Sequence, residues 1–211
     1  LVDGVNVKEY DIETLRNKVG IVMQKAVLFK GTIRENMWMG KKGATDEQID
    51  EALEISQSKE FVDSKQGRLD YVIEQGGKNL SGGQRQRLTI ARAIVRKPDV
   101  LILDDSASAL DFATDAALRK AIRGMNNSPT VFIVSQRAAS LMYADLIIVL
   151  DDGQVAGMGT HDELLANCEV YKEIYESQFK EAQLFYNIIA YYGGSNSCNN
   201  TLCANPCRTW N

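Results

Sequence analysis

The sequence has few cysteines and no long apolar run, and each shortage excludes a class of protein. Cysteine is absent from the first 167 of the 211 residues. The main body is therefore unlike a disulfide-linked secreted domain and fits a reducing compartment. No apolar run approaches the roughly 20 residues that a membrane-spanning helix needs. The lone histidine, His161, has no second metal-type ligand near it in sequence, so we interpret it as a structural residue.

Strong positive charge is also missing. The formal net charge of −4 argues against a protein that binds nucleic acid through a broadly basic surface. Hydrophobic residues make up 45% of the chain and charged residues 25%, which is typical of a soluble globular protein. Charged residues near the start interrupt any apolar stretch there, so the sequence does not begin like a secretion signal.

The end of the chain differs in composition from the rest. Its last fourteen residues contain Cys198, Cys203 and Cys207. A small zinc site is one interpretation, but three cysteines without a fourth ligand are a poor match to structural zinc spacings. We favour the alternative that 181–211 is a Cys/Asn-rich tail that is disordered or non-native.

The body of the chain alternates apolar strand patterns with helical patterns, which predicts an α/β fold on a mainly parallel sheet. Apolar strands are predicted at 19–23, 100–103, 131–134 and 146–150. In such sheets, functional groups collect beyond the carboxyl ends of the strands. Polar residues occupy those positions here: Gln24, Asp104, Asp105 and Gln136.

The sequence also predicts several shorter features. The continuous apolar run at 100–103 is typical of a parallel strand that is buried on both faces. Asp-Gly pairs predict a hairpin at 1–7 and a turn at Asp152-Gly153. Thr45 and Gln48 have the spacing of a second capping box, and a helical pattern begins at about Thr114.

The stretch Ser81-Gly82-Gly83-Gln84 predicts a helix start that can hold an anion. Ser81 and Gln84 have the spacing of a capping box, and an apolar helical period follows. A helix N-terminus presents unpaired N–H groups and a partial positive charge, which suit a phosphate. Glycine allows a large anion to approach the backbone closely. A capped surface helix after a glycine turn is the alternative interpretation.

Asp104 and Asp105 directly follow an apolar strand. Uncompensated charge there is costly, and a bound Mg²⁺ held partly through water would compensate it. Two solvated aspartates at a strand end are the alternative. Asp111 follows a little later, where it could serve as a helix N-cap.

Taken together, these motifs resemble the nucleotide-binding domain of ABC (ATP-binding cassette) transporters. Residues 80–84 (LSGGQ) match the family signature, 100–105 the Walker B strand, and 108–111 (SALD) the D-loop. Gln24 stands at the Q-loop position and Gln136 at the switch position. The motifs occur in family order over roughly residues 1–178, which is more specific than any single motif.

The resemblance implies a P-loop NTPase (RecA-like) core with an ABC α-helical subdomain, and ATP with Mg²⁺ as cofactors. It also implies a role for each matched residue. Asp105 and Gln136 would be catalytic, with Asp105 at the base position. Gln24 and Asp104 would hold the metal. The implied nucleotide contacts are Gln24, Ser81, Gly82, Gly83, Gln84, Asp104 and Asp111.

Two segments favour the exporter branch of the family. They are 28–36 and the X-loop at 74–77, which in the family touches the coupling helices of the membrane part. The implied domain layout has core segments at 1–44 and 97–180, with the helical subdomain at 45–96. The implied location is the cytoplasmic face of the cell membrane, through a transmembrane domain.

Three features depart from the family pattern. The sequence contains no G-x-x-x-x-G-K-[ST] phosphate loop, so we expect an N-terminal truncation and poor ATP binding by the chain alone. Asp105 stands where catalytic sites usually carry Glu and is one methylene shorter, so we expect a weak base. Gln136 replaces the usual switch His and cannot carry imidazolium charge.

These substitutions look like the degenerate site of a heterodimeric exporter. The intact signature would complete the other site, where a second nucleotide-binding domain would supply the Glu and His. Nucleic acid is not an expected partner. The alternatives are a soluble ABC-type ATPase that acts on nucleic acid or the ribosome, and a non-catalytic regulatory domain (a pseudo-ATPase).

Overall fold

The computed structural model describes residues 1–106 and 108–178. The chain divides into two compact units, Leu1–Asp145 and the residues from Leu146 onward. The predicted Cys/Asn-rich tail lies outside the described residues. In the part of the chain that the structure describes, no helix is both long and apolar enough to cross a membrane.

The first unit contains six α-helices and five strands in its described residues. The helices are α1 (Ile12–Lys18), α2 (Ile33–Trp38), α3 (Asp46–Ile55), α4 (Lys59–Asp63), α5 (Gly82–Ile94) and α6 (Phe112–Arg123). The strands are β1 (Val19–Val22), β2 (Gly31–Thr32), β3 (Val72–Ile73), β4 (Val100–Asp104) and β5 (Thr130–Val134).

A three-stranded parallel sheet, in the order β1-β4-β5, organises this unit. All three strands therefore point their carboxyl ends to the same edge, as the sequence predicts. The helix α6 starts at Phe112, two positions earlier than the predicted 114, because the side chain of Asp111 caps it.

The two faces of the sheet differ in burial. Val22 and Leu101 are fully buried on one face, against the α5 side of the core. On the other face the register aligns Ile21, Ile102 and Phe132 in one row across the strands. Ile21 is 53% exposed and Phe132 is 57% exposed. The expectation of a strand buried on both faces is therefore met on only one face within the described residues.

The helix α5 carries much of the core. Leu88, Ala91 and Ile94 are buried, and their spacing of three residues places them on one side of the helix. The predicted capping box is present at its start, with Ser81 as N-cap. A second predicted capping box, Thr45 with Gln48, starts α3.

Some short elements differ from the sequence prediction. The predicted hairpin at 1–7 is a turn at Asp3-Gly4 with a single bridge between Val2 and Val5. The pairing of β2 with β3 was not predicted, because each strand has only two residues and no periodicity to recognise.

The second unit begins with an antiparallel hairpin of β6 (Ile147–Asp151) and β7 (Gln154–Gly159). The predicted turn at Asp152-Gly153 joins them, whereas β7 itself was not predicted. α7 (His161–Asn167) and a helical stretch over 169–178 follow. The Nδ1 atom of His161 lies 2.8 Å from the Tyr171 hydroxyl, a contact consistent with a structural histidine.

Candidate functional site

The carboxyl edge of the parallel sheet brings together two residues that are 81 positions apart. Gln24 follows β1 and Asp105 follows the neighbouring β4. The Gln24 Nε2 atom donates to Asp105 Oδ2 at 3.2 Å. The parallel pairing of the two strands produces this contact, as the α/β prediction requires.

Asp105 has an unusual backbone conformation. Its φ of +42° lies in the left-handed region, which Asp tolerates better than most residues but which still costs energy. Hydrogen bonds hold it there. Its N–H donates to the Val134 carbonyl at 2.9 Å, and its own carbonyl accepts from the Ser108 hydroxyl at 2.9 Å. Strain maintained by surrounding bonds at a strand end is a common property of functional sites.

The donors at this edge are oxygen atoms of carboxylates and an amide. Asp104 and Asp105 are half-buried, and Gln24 and Gln136 are exposed. This oxygen chemistry suits Mg²⁺, which is held by one or two carboxylates together with water and substrate phosphates. No cluster of three or more His, Cys, Asp or Glu residues that could hold a metal occurs in residues 1–106 and 108–178.

The start of α5 forms the second part of the candidate site. The Gln84 N–H donates to Ser81 Oγ at 3.2 Å, and the Ser81 N–H donates to Gln84 Oε1 at 3.1 Å. Because Ser81 Oγ accepts in this box, its own proton remains able to donate elsewhere. Ser81 and Gly82 are exposed, so this helix start faces solvent.

Two side chains that the sequence analysis did not single out hold the loop before α5. Arg85 donates through Nη1 to the carbonyl of Leu80 at 2.6 Å and to that of Gly77 at 3.3 Å. Asn79 donates to the Val72 carbonyl at 2.9 Å and accepts from the Glu74 N–H at 3.0 Å. Residues 74–80 are therefore fixed on both β3 and α5.

The segment after β4 lies against the start of α5. A Cβ atom built on Gly83 would lie 3.3 Å from the carbonyl oxygen of Ala109, which is closer than most Cβ contacts. A larger side chain at position 83 would therefore press on this segment. Packing of two distant loops causes this need for glycine, so sequence spacing alone could not reveal it.

Asp111 caps α6, which matches the helix-cap interpretation. Its carboxylate accepts from the Thr114 N–H at 2.9 Å and from the Thr114 hydroxyl at 2.8 Å. The Thr114 backbone N–H, followed by the Thr114 hydroxyl, holds the pKa of this carboxyl below its usual range. The role of Asp111 in nucleotide binding remains a prediction.

Comparison with known proteins identifies the family. The family model described as ABC transporter matches residues 1–108, about half of the chain. The chain belongs to the ABC transporter family. Its α/β fold with a parallel sheet is accordingly that of the P-loop NTPases.

Several named ABC proteins are similar to this chain. An uncharacterised ABC transporter ATP-binding protein of Bacillus subtilis, YfiB, is 44% identical over 178 residues, which cover 84% of this chain and 31% of that protein. An ATP-dependent lipid A-core flippase of Haemophilus ducreyi is 40% identical over 182 residues, which cover 86% of this chain and 31% of the flippase. The chain thus spans about a third of the length of these curated relatives.

A solved ABC exporter has the same fold. The structure of a bacterial Atm1-family ABC exporter with ATP bound superimposes with a TM-score of 0.79 at 32% sequence identity. The match covers 84% of this chain and 31% of the exporter chain. These similarities group the chain with ATP-binding proteins of ABC exporters.

Proposed function

We propose that this chain is the ATP-binding part of an ABC exporter and that its two candidate half-sites have different capacities. The observation that carries the proposal is the start of α5, where a complete capping box presents Ser81 and Gly82 to solvent. Relatives named for lipid A-core flipping and for multidrug export support the exporter assignment.

The signature end serves a nucleotide bound by a second nucleotide-binding domain. Ser81 donates its hydroxyl proton to a γ-phosphate oxygen, and the first N–H groups of α5 add unpaired donors with a partial positive charge. Gly82 and Gly83 leave the backbone open to this anion because they lack side chains, and Gln84 holds the Ser81 N–H in the capping box. The exposure of Ser81 and Gly82 supports such a role in trans.

The strand end holds the nucleotide of this chain. Asp104 and Gln24 would hold Mg²⁺ through their side-chain oxygens, and Asp111 would belong to the nucleotide contacts through the D-loop. When bound, Mg²⁺ neutralises charge on the phosphates. Gln136 donates its amide to the γ-phosphate but cannot supply the charge of an imidazolium.

Asp105 is a weak catalytic base. Its side chain is one methylene shorter than Glu, and a base must come within about 2.6–3.2 Å of the proton it removes. The 3.2 Å hydrogen bond from Gln24 Nε2 also occupies one of the carboxylate oxygens of Asp105.

The partner domain supplies the strong base and the charged switch residue that this chain lacks at Asp105 and Gln136. We infer a heterodimer in which the partner has a catalytic Glu and a switch His, and this chain completes that site with its signature. The X-loop at 74–77, fixed by Asn79 and Arg85, faces the coupling helices of a transmembrane domain at the cytoplasmic side of the membrane. Since these 211 residues contain no G-x-x-x-x-G-K-[ST] motif, the chain alone binds ATP weakly.

ATP turnover by the full-length exporter, assembled with its partner, tests this division. Ser81→Ala is expected to lower turnover by about 100-fold, because it removes a donor to the transferred phosphate. Asp105→Asn is expected to leave turnover within about twofold, because the partner site carries the hydrolysis. Thr45→Ala is the matched control, since it removes an equivalent capping box from α3, outside the site.

The other outcomes separate the alternatives. Equal losses for Ser81→Ala and Asp105→Asn would indicate two equivalent hydrolytic sites and overturn the heterodimer. No turnover with any partner would favour a pseudo-ATPase. Turnover stimulated by nucleic acid or ribosomes, without a membrane part, would favour the soluble ATPase.

A further inference from the structure

A guanidinium group connects two segments that sequence motifs treat as separate. Arg137 lies one residue after Gln136, and its side chain reaches the segment between β4 and α6. Its Nη2 donates to the Ser108 carbonyl at 2.8 Å, and its Nη1 donates to the Leu110 carbonyl at 3.1 Å. One side chain thus holds two carbonyls on either side of Ala109.

The Arg137 side chain is fixed by its surroundings. Its Cζ atom lies 5.4 Å from the centre of the Phe112 ring, within the range of a cation–π contact. The Arg137 N–H donates to Ser135 Oγ at 3.0 Å, which fixes the backbone from which the side chain extends. A planar guanidinium with several donors suits this geometry, which an ammonium group could not reproduce.

The residues that follow Arg137 are anchored to α6. Asp115, which is 2% exposed, accepts from Ser140 Oγ at 2.9 Å and pairs with Arg119 Nη2 at 3.0 Å. Arg119 also donates to the Ser140 carbonyl at 3.1 Å. Because Asp115 is buried and accepts from both Ser140 and Arg119, this network gives the residues after Arg137 a rigid base.

The opposite side of the same segment lies against the signature helix. The carbonyl of Ala109 is the atom that a Cβ at Gly83 would approach to 3.3 Å. The segment 108–110 therefore lies between Arg137 on one side and the first turn of α5 on the other. A shift of Arg137 would move a backbone that is already in contact with the signature.

We propose that Arg137 is a positioning residue that holds the segment 108–110 between the switch residue Gln136 and the start of α5. Through it, the strand end that serves one nucleotide is joined to the helix start that serves the other. The positioning follows from the contacts of this chain alone, whereas its effect on turnover rests on the proposed function. Its side chain contacts the backbone carbonyls of Ser108 and Leu110 and the ring of Phe112, so the proposed action goes through the segment that it holds.

Hydrogen–deuterium exchange of the purified full chain tests the positioning without nucleotide. Arg137→Ala is expected to raise exchange of the amides at 108–112 by about tenfold, because two charged hydrogen bonds are lost. Arg137→Lys is expected to give an intermediate rate, since one ammonium cannot hold both carbonyls in the same geometry. Unchanged exchange in a folded Arg137→Ala variant would overturn the proposal.

Arg123→Ala is the matched control. Arg123 also donates to a backbone carbonyl, that of Tyr143 at 3.0 Å, and also lies over an aromatic ring, 5.6 Å from its centre. Its removal is expected to leave exchange at 108–112 unchanged. Equal acceleration by Arg123→Ala would mean a general loss of stability and overturn the specific role. If Arg137→Ala does not fold, Arg137→Lys with the same control carries the test.

ATP turnover by the full-length exporter tests the consequence. Arg137→Ala is expected to lower kcat by roughly tenfold with the KM for ATP within about twofold, because the proposed role acts through the position of the 108–110 segment. Partial recovery of kcat in Arg137→Lys would support positioning. An unchanged kcat would overturn the link between the half-sites. Changed exchange in a chain whose wild-type exporter shows no turnover would support the positioning and contradict only the proposed function.

Discussion

The signature end and the strand end of the candidate site are built in different ways. At the signature end, the hydrogen bonds of Ser81, Gln84 and Arg85 join residues that are close together in sequence. The local sequence therefore forms this helix start. At the strand end, Gln24 and Asp105 meet only because two parallel strands pair across 81 positions. Local chemistry therefore forms the signature end, whereas tertiary structure is needed to bring the residues of the strand end together.

The largest expected effect is at Gly83. Gly83→Val should lower ATP turnover of the full-length exporter by about 100-fold, because the new side chain would displace the 108–110 segment and misplace the donors of α5. Gly124→Val is the control, since a Cβ at Gly124 would meet its nearest atom at an ordinary 3.5 Å. Normal turnover in Gly83→Val would contradict a tightly packed signature end.

The free energy of unfolding should show whether Ser81 and Thr45 stabilise the protein equally as helix caps, whatever their effect on turnover. Ser81→Ala and Thr45→Ala should each lower the free energy of unfolding by about 1 kcal/mol, because each removes a side-chain cap. Urea unfolding measured by circular dichroism checks this. Ser81→Asp, which keeps a cap acceptor, should retain stability, and a loss equal to that of Ser81→Ala would contradict the capping argument.

Restoring the strand end should have a small effect on activity. The double variant Asp105→Glu with Gln136→His should raise turnover of the assembled exporter by about twofold, because one hydrolytic site becomes two. The left-handed backbone at Asp105 disfavours the longer residue, so melting a few degrees lower is also expected. A large fall in turnover would show that Asp105 and Gln136 are not a weakened pair.

The smallest effect concerns the pH dependence of the Asp111 cap. Since the folded state lowers the pKa of this carboxyl, the cap contributes stability above its ordinary value of 3.8. That contribution is lost as the pH falls from there through the lower folded pKa. Asp111→Asn keeps a cap acceptor without titrating. The stability difference between wild type and this variant should shrink between about pH 5 and pH 3, as measured by urea unfolding, and a constant difference would contradict the assignment.

The sequence predicted the features that depend on neighbouring residues. The capping boxes at Ser81 and Thr45, the N-cap at Asp111 and the polar ends of the apolar strands are all present in the structure. These features follow from short-range hydrogen bonding and from strand periodicity, so a single sequence contains the necessary information.

Other features depend on packing and were not predictable. β7 includes Gly157 and Gly159 and lacks a regular alternation, and it forms a strand because it pairs with β6. The reach of Arg137 to the 108–110 segment depends on how β5, α6 and the intervening loops pack. Their sequences alone give no signal for that contact, because arginine near a motif is common on protein surfaces.

The apolar row of Ile21, Ile102 and Phe132 has a consequence for handling the protein. A parallel sheet is normally covered on both faces, and a bare apolar face invites aggregation. Burying a large apolar side chain stabilises a fold by about 1.5–3 kcal/mol. A surface that covers this face would therefore raise solubility and melting temperature together.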